Sequence, residues 1–216
     1  MARIIKSGIH PHGVVDKEMR RLQKLRISDE IDDTIILVEH PEIITIGPRA
    51  RKEGTPIPEG YKHTSVDRGG GVTWHGPGQI VCYPIIKWSL NGEENVAKII
   101  GKIEHWIIEA LSTLGIKANR DERMQGVWVG DNKVASIGLS FLHWTSRHGF
   151  TINYATPEGR VELVSGCGLG SEITTSLDKV GHNLNQEDLH NALISSVGTI
   201  DREISEIVEF TEPPWD

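Results

Sequence analysis

The chain has little of several residue types, and each shortage excludes a class of protein. Its 216 residues include two cysteines, too few for a disulfide-rich secreted scaffold. No His-x-x-x-His or Cys-x-x-Cys pair occurs, so we expect no metal site and no bound cofactor. No apolar run approaches the roughly 20 residues of a membrane span, and the first residues lack the apolar core of a signal peptide. The sequence therefore predicts a cytoplasmic protein that does not contact membranes.

Basic residues are also fewer than acidic ones. The chain has 23 Lys and Arg against 30 Asp and Glu, for a net charge of −7. Nucleic acid is therefore not an expected partner, because phosphate binding needs a basic face. Two local basic clusters are more typical of an ordinary solvated surface, and their alternative interpretation is a docking patch for a partner protein. They comprise Arg49, Arg51 and Lys52 in one segment and Arg20, Arg21, Lys24 and Arg26 in another.

Hydrophobic periodicity predicts helices and strands without regular alternation. The predicted helices cover residues 13–26, 94–114 and 186–197. The predicted strands cover residues 34–39, 43–46, 80–87 and 148–154, with a hairpin that joins 126–129 to 133–139. Residues 47–62 are expected to form a surface loop, and 203–210 remain open between helix and strand. The pattern and length predict an α+β fold, with residues 1–216 forming a single domain.

One segment, the glycine loop of residues 68–79, has a clear functional character. Its sequence is Arg68-Gly69-Gly70-Gly71-Val72-Thr73-Trp74-His75-Gly76-Pro77-Gly78-Gln79, with five glycines and one proline in twelve positions. This composition predicts neither an ordinary helix nor an ordinary strand. Glycine is needed where the chain turns with positive φ or where another group approaches the backbone closely. With an arginine and a histidine among these glycines, the segment is predicted to bind a ligand.

The glycine loop and the apolar segment after it resemble the signature of lipoyl(octanoyl) transferases of the lipoate-protein ligase B type. Further matching segments follow the family order along the chain. These segments are Glu39–Gly47, Lys133–Leu139, His148–Asn153 and Gly166–Gly168. The resemblance implies an acyltransferase of lipoate biosynthesis with a mixed central sheet flanked by helices, similar to the catalytic core of biotin and lipoate protein ligases.

The resemblance also implies partners and residue roles. The donor would be octanoyl-acyl carrier protein, and the acceptors would be lipoyl domains of 2-oxoacid dehydrogenase complexes and the glycine cleavage H protein. Cys167 would carry the octanoyl or lipoyl group as a thioester, and Lys133 would activate it. Gly166 stands where the family often has proline. The acyl-binding residues would be Arg68, Gly69, Gly70, Gly71, Val72, Thr73, Trp74, His75, Ser136, Ile137, Gly138, Gly149, Phe150 and Thr151.

This chemistry suits cysteine, because a thiolate attacks well and its acyl product remains a reactive thioester. Thioester exchange followed by amide formation requires no ATP. Cys82 lies in an apolar segment, where a free cysteine usually behaves as a small buried hydrophobe. Lys133 opens another apolar stretch, so its stem is either buried or exposed on a hairpin. His75 is expected either to hold the substrate carbonyl or to order the loop.

Other functions remain open at this stage. An ATP-dependent lipoate or biotin protein ligase would share the core but would need no nucleophilic cysteine. A close variant of the transferase would take its acyl group from another lipoyl-domain protein. A non-catalytic module would bind an acyl chain or a carrier protein without turnover.

Overall fold

Two β-sheets frame the protein, and a computed structural model describes residues 1–90, 92–163 and 173–215. The larger sheet has seven strands in the order β10-β1-β2-β6-β9-β8-β7. In that order they are Ile204–Phe210, Ala2–Ile9, Asp33–Glu39, Gln79–Ile85, Thr145–Asn153, Asn132–Leu142 and Val127–Val129. β1 pairs in parallel with both β10 and β2, and the remaining ladders are antiparallel. The sheet is therefore mixed.

The smaller sheet has three strands in the order β4-β3-β5. They are His63–Ser65, Ile43–Ile46 and Val72–His75. β3 pairs in parallel with β4 and antiparallel with β5. The middle of the glycine loop is thus a strand of this sheet.

Five α-helices accompany the sheets in the described residues. They are α1 His12–Ile27, α2 Pro48–Glu53, α3 Val96–Thr113, α4 Arg160–Leu163 and α5 Gln186–Ser195. Asn95 is the N-cap of α3, and its side chain accepts a hydrogen bond from the Lys98 amide. The N-terminus of α5 has a reciprocal capping box between Asn185 and Asp188. No helix among the described residues is long and apolar enough to cross a membrane.

The helices divide the larger sheet into two unlike faces. α3 and α5 cover the helical face, where Trp106 packs edge-on against Phe150 with ring centroids 5.3 Å apart. α1 packs on the opposite face, called the site face, with Val15 and Met19 buried against Val81. Burial of each such side chain contributes about 1.5–3 kcal/mol. The smaller sheet lies beside α1 on the site face, because its residues enclose a cavity together with His12 and Tyr83.

The predicted α+β class is confirmed, with several local corrections. Residues 47–62 were expected to be a loop, but Pro48 at the first helical position and left-handed Gly54 delimit the short helix α2. Residues 203–210, left open, include the edge strand β10. The glycine loop contains β5 because β3 offers it a partner, which local composition does not reveal. Strands β1 and β4 were not predicted.

Candidate active site

Two adjoining cavities lie between the site face and the smaller sheet. The inner cavity encloses about 390 Å³ and the outer one about 620 Å³, each counted with the solvent at its mouth. They share five lining residues, so they lie directly side by side. The shared residues are Arg68, Thr73, Ser136, Ile137 and Thr151.

Every acyl-binding residue predicted from the sequence lines one or both cavities, and Lys133 lines the outer one. The structure therefore brings these residues together from the glycine loop, β8 and β9. Their role in binding stays a prediction. Cys167 and Gly166 lie outside the described residues.

The glycine loop is held on both sides by backbone hydrogen bonds. The Gly47 amide donates to the Gly71 carbonyl at 2.9 Å, and the Gly69 amide donates to the Leu139 carbonyl at 2.8 Å. A Cβ atom at Gly47 would lie 2.3 Å from the Gly70 carbonyl oxygen. The absence of side chains thus allows the loop to lie close to the start of α2 and to β8.

Two glycines face each other across β8 and β9 and leave the inner cavity without side chains there. Gly138 pairs with Gly149, and both line the inner cavity. A Cβ at Gly149 would lie 1.9 Å from the Cys82 carbonyl oxygen, and one at Gly138 would lie 2.9 Å from the Gly69 carbonyl oxygen. Real Cβ contacts are not this short, so glycine is required at both positions unless the backbone moves.

Arg68, the first residue of the glycine loop, is only 8% exposed. Its guanidinium donates to the Thr45 carbonyl at 3.0 Å, to the Thr45 hydroxyl at 2.8 Å and to the Gly69 carbonyl at 3.1 Å. The charge is therefore fixed at the wall that the two cavities share. In this position it can stabilise negative charge that develops on a bound carbonyl oxygen.

His75 uses both ring nitrogens within the protein. Nδ1 lies 2.8 Å from Gln79 Oε1, and Nε2 lies 3.1 Å from Thr45 Oγ1. Because the Gln79 oxygen only accepts, Nδ1 donates. Burial lowers the pKa of His75 well below its ordinary value, so the ring is neutral at pH 7. Of its two predicted roles, this geometry supports the ordering of the loop.

A chain of buried hydrogen bonds continues from His75 towards the predicted lysine. Gln79 Nε2 donates to Asn153 Oδ1 at 2.8 Å, and Asn153 Nδ2 donates to the Thr175 carbonyl at 3.0 Å. The Thr175 amide in turn donates to the Lys133 carbonyl at 3.0 Å. The chain links the glycine loop with the strand that carries Lys133. Gln79 and Asn153 both fall in the matching segments, but the connection to Thr175 had no signal in the sequence.

Lys133 is 6% exposed, so the hairpin lysine does not face water. Its Nζ lies 3.1 Å from the Met124 sulfur, and its amide donates to the Ile173 carbonyl at 2.8 Å. Gly126, with a φ of +135°, leaves the space beside the stem, since a Cβ there would lie 2.5 Å from Lys133 Cε. Of the two alternatives left open for the Lys133 stem, the structure shows the buried one.

The residues that flank segment 164–172 converge on the outer cavity. Val161 lines it from one flank and Thr174 from the other. Across the same gap, the Thr175 hydroxyl donates to Glu162 Oε1 at 3.3 Å. The described residues on both sides of the segment that contains Cys167 therefore lie near Lys133.

Two buried histidines, His40 and His148, contact Tyr83 in the wall of the inner cavity. His40 donates from Nδ1 to the His10 carbonyl and accepts from the Tyr83 hydroxyl at Nε2, both at 2.7 Å. Burial lowers its pKa to about 3. His148 bonds Asp67 at 2.8 Å, and burial lowers its pKa to about 4. Both rings are neutral at pH 7.

The His148 side chain reaches Tyr83 because the backbone of β9 is irregular at this residue. Alternation along β9 would put it on the helical face with Phe150 and Ile152, whereas its ring contacts Tyr83 and bonds Asp67. Its φ of +59° is left-handed, which is uncommon for a residue other than glycine and re-aims the side chain. The sequence carried no signal for this reversal.

Cys82 is fully buried and lines neither cavity. Burial raises the pKa of its thiol well above the ordinary range, so it remains protonated. The prediction that it is a small buried hydrophobe is confirmed.

The two basic clusters have different surroundings. On α1, the arginines pair with carboxylates: Arg20 with Asp16 and Arg21 with Glu18. Arg49 and Lys52 are exposed on α2, directly after the glycine that contacts the glycine loop. The α2 cluster therefore lies near the cavity and is the better-placed docking candidate.

Comparison with known proteins agrees with this architecture. A putative lipoate protein ligase from T. acidophilum, solved with bound lipoic acid, superposes with a TM-score of 0.69 at 14% identity over 98% of this chain and 91% of that one. The biotin protein ligase of Aquifex aeolicus gives a TM-score of 0.55 at 12% identity, over 93% of this chain and 69% of that one. At these identities the likeness concerns the fold alone, and it confirms the predicted core.

Sequence relatives are more similar. The octanoyltransferase of Caldicellulosiruptor saccharolyticus is 39% identical over 178 residues, 78% of this chain and 75% of that protein. The octanoyltransferase of Syntrophobacter fumaroxidans is 36% identical over 181 residues, 81% and 79% of the two chains. These relatives show that the chain is an acyltransferase.

A family model, the lipoyl protein ligase A/B catalytic domain, matches residues 18–198. The chain belongs to this family. The resemblance inferred from the glycine loop and its companion segments is thereby confirmed.

Proposed function

We propose that this acyltransferase moves an octanoyl or lipoyl group from acyl carrier protein to a specific lysine of lipoyl-domain proteins through a thioester on Cys167. The acceptors would be lipoyl domains of 2-oxoacid dehydrogenase complexes and the glycine cleavage H protein, in the cytoplasm. Residues 1–216 would act as one catalytic domain. The octanoyltransferase relatives support the acyl group and the lipoate pathway.

One observation carries the proposal: the buried amine of Lys133 lines a cavity at which both flanks of the Cys167 segment are anchored. Ile173 and Thr175 pair with the Lys133 backbone on one side of that segment. A lysine close to a cysteine favours thiolate, either as a charged neighbour or, when neutral, as a base. The location of Lys133 therefore supports its predicted role.

The reaction would proceed in two balanced steps. First, the Cys167 thiolate attacks the donor thioester carbonyl, a C–S bond to Cys167 forms, and the donor's C–S bond breaks. The leaving carrier thiolate takes a proton from the Lys133 ammonium. Second, the acceptor amine attacks the acyl-Cys167 carbonyl, the C–N bond forms and sulfur leaves. Lys133 takes the proton that the amine loses, and free thiolate returns.

The described groups would assist by position and charge. Arg68 lies on the shared wall, where an oxyanion formed near Lys133 would meet its fixed charge. The acyl tail would extend past Ser136 and Thr151 into the inner cavity. At about 0.8 kcal/mol per buried methylene, an octanoyl chain would gain about 5 kcal/mol before ordering costs.

Intact-mass spectrometry after mixing with octanoyl-acyl carrier protein tests the proposal. We expect an adduct of octanoyl mass that peptide mapping locates on Cys167. Cys167→Ala should abolish both adduct and transfer. Cys82→Ala is the matched control and should retain both, because Cys82 lines neither cavity.

Full turnover by Cys167→Ala would refute the thioester route. Strict dependence on ATP with free lipoate would assign the chain to the ligase chemistry instead. Transfer only from another octanoylated lipoyl domain would correct the donor. Binding without turnover, with an intact thiol, would favour a non-catalytic module.

A further inference from the structure

The two cavities have a direction along the strands of the larger sheet. Lys133 and Asn153 line the outer cavity. Farther along the same ladder, Ser136 pairs with Thr151 in the shared wall, and Gly138 pairs with Gly149 at the inner cavity. A chain that starts at Lys133 and follows β8 therefore enters the inner cavity.

The lengths agree with this path. At about 3.3 Å per strand residue, Lys133 and Gly138 are about 17 Å apart along β8. A fully extended backbone spans about 3.5 Å per three bonds, so the seven C–C bonds of an octanoyl chain span about 8 Å. Because the Lys133 side chain also takes up part of the distance, an acyl tail whose carbonyl lies at Nζ would end in the inner cavity.

Besides His75, three polar rings line the inner cavity but not the outer one that holds Lys133: His12, Tyr83 and His148. Two of them are fixed by hydrogen bonds, since Tyr83 donates to His40 at 2.7 Å and the His148 ring bonds Asp67 at 2.8 Å. These two are poor candidates for adjusting the size of the cavity, because each ring is held in place by its hydrogen bond, and replacing Tyr83 would also leave the buried His40 nitrogen unpaired.

His12 differs from the other two rings. It is the first residue of α1 and is 4% exposed. Its ring centroid lies 5.3 Å from that of His40 and 6.1 Å from that of His75, and neither ring nitrogen has a hydrogen-bond partner in the described part of the chain. Burial lowers the pKa of His12, so the uncharged ring is compatible with an alkyl chain. Its volume can therefore change without breaking a bonded network.

We propose that the His12 ring closes the far end of the acyl cavity and sets the longest acyl chain that the enzyme accepts. This inference rests on the proposed transfer of an acyl chain from the Lys133 end. It makes His12 a specificity-determining residue contributed by a helix that no motif marked.

Truncation should lengthen the preferred chain. His12→Ala removes a ring of five heavy atoms, room for about two further methylenes in an interior where single methylenes are felt. Each methylene buried is equivalent to about a fourfold gain in binding, so two give about 15-fold. We expect the ratio of kcat/KM for decanoyl to octanoyl donor to rise about 15-fold. His12→Trp should shift preference towards hexanoyl instead.

The experiment compares hexanoyl-, octanoyl-, decanoyl- and dodecanoyl-acyl carrier protein with native protein, His12→Ala, His12→Trp and Val14→Ala. Val14 is the matched control, because it lies on the same helix, is exposed and lines neither cavity. Its ratios should equal those of the native protein. Ratios that stay unchanged in either folded His12 variant would overturn the proposal.

Thermal stabilisation by free octanoate, decanoate and dodecanoate decides the point independently of catalysis. A shift of the most stabilising ligand to longer chains in His12→Ala, or to shorter chains in His12→Trp, supports the proposal that His12 closes the cavity. An unchanged order overturns it. Because this readout needs no turnover, failure of the proposed transfer and failure of the proposed closure by His12 are distinguishable.

Discussion

The two faces of the larger sheet contrast in how they treat polar groups. On the helical face, Ile99, Trp106 and Phe150 belong to a continuous apolar core. On the site face, Gln79 and Asn153 are as deeply buried, and each has a hydrogen-bond partner. An unpaired buried polar group costs about 1–3 kcal/mol, so these groups are tolerated because they bond one another. One face therefore supplies stability, and the other holds reactive groups in fixed positions.

Removal of the buried Lys133 amine should have the largest effect, because it takes a reactive group from the site face. We expect Lys133→Ala to lower kcat about 10²–10⁴-fold, the range associated with loss of a proton-transferring side chain. Lys98→Ala is the matched control, because Lys98 is an exposed residue of α3, and it should leave kcat unchanged. Single-turnover assays with octanoyl-acyl carrier protein measure both. Equal activities would show that the site face carries no catalytic lysine.

A methyl group at Gly149 should have the next largest effect, here on stability. The added Cβ would meet the Cys82 carbonyl at 1.9 Å, and such overpacking costs about 3 kcal/mol or more. Gly13→Ala is the matched control, because its Cβ meets nothing within 4 Å and helical alanine is better than glycine by about 0.5–1 kcal/mol. In urea unfolding, Gly149→Ala should lower the free energy of unfolding, whereas Gly13→Ala should raise it. Similar free energies would contradict the tight backbone contact.

The buried histidines should make stability depend on pH. His148 has a folded-state pKa of about 4, below its ordinary value of 6.5. Below pH 6.5 the unfolded chain binds a proton that the folded chain does not, so stability falls with pH until about pH 4. Its contribution to the slope is about 1.4 kcal/mol per pH unit.

His148→Asn should remove that contribution, since asparagine tolerates the left-handed backbone. Urea midpoints between pH 6 and pH 5 measure the slope. His105→Asn replaces an exposed histidine and should not change it. A slope that the two substitutions alter equally would place the titration elsewhere.

Charge at the rim of the site should have the smallest effect. Reversal of Arg49 and Lys52 to glutamate is expected to reduce kcat/KM for an acyl carrier protein donor about 3–10-fold at low salt, and less at high salt. A small octanoyl thioester should be unaffected. Double reversal of Lys17 and Lys24, exposed on α1, is the matched control. Equal losses from both reversals would indicate a general charge effect instead of a docking patch.

Much of the fold was predictable because its signals are local. The apolar stripe of α3 and the turn between β7 and β8 follow from periodicity and turn residues. The family motifs also contained the predicted acyl-binding residues, all of which line one or both cavities. The presence of His12 and Tyr83 in the same cavity was not predictable, because they lie on different elements that are distant in sequence. The reversal at His148 depends on a backbone angle that the alternation of β9 contradicts.

Position 126 acts on the site without ever touching a substrate. Its missing side chain is the room in which the methylenes of Lys133 lie. A random mutagenesis screen should therefore recover substitutions there among variants that have lost both activity and stability, because the new Cβ would also lie 2.3 Å from the Ala135 carbonyl oxygen. A larger residue at position 126 would displace the Lys133 side chain, so the site would lose its amine although Lys133 itself is unchanged.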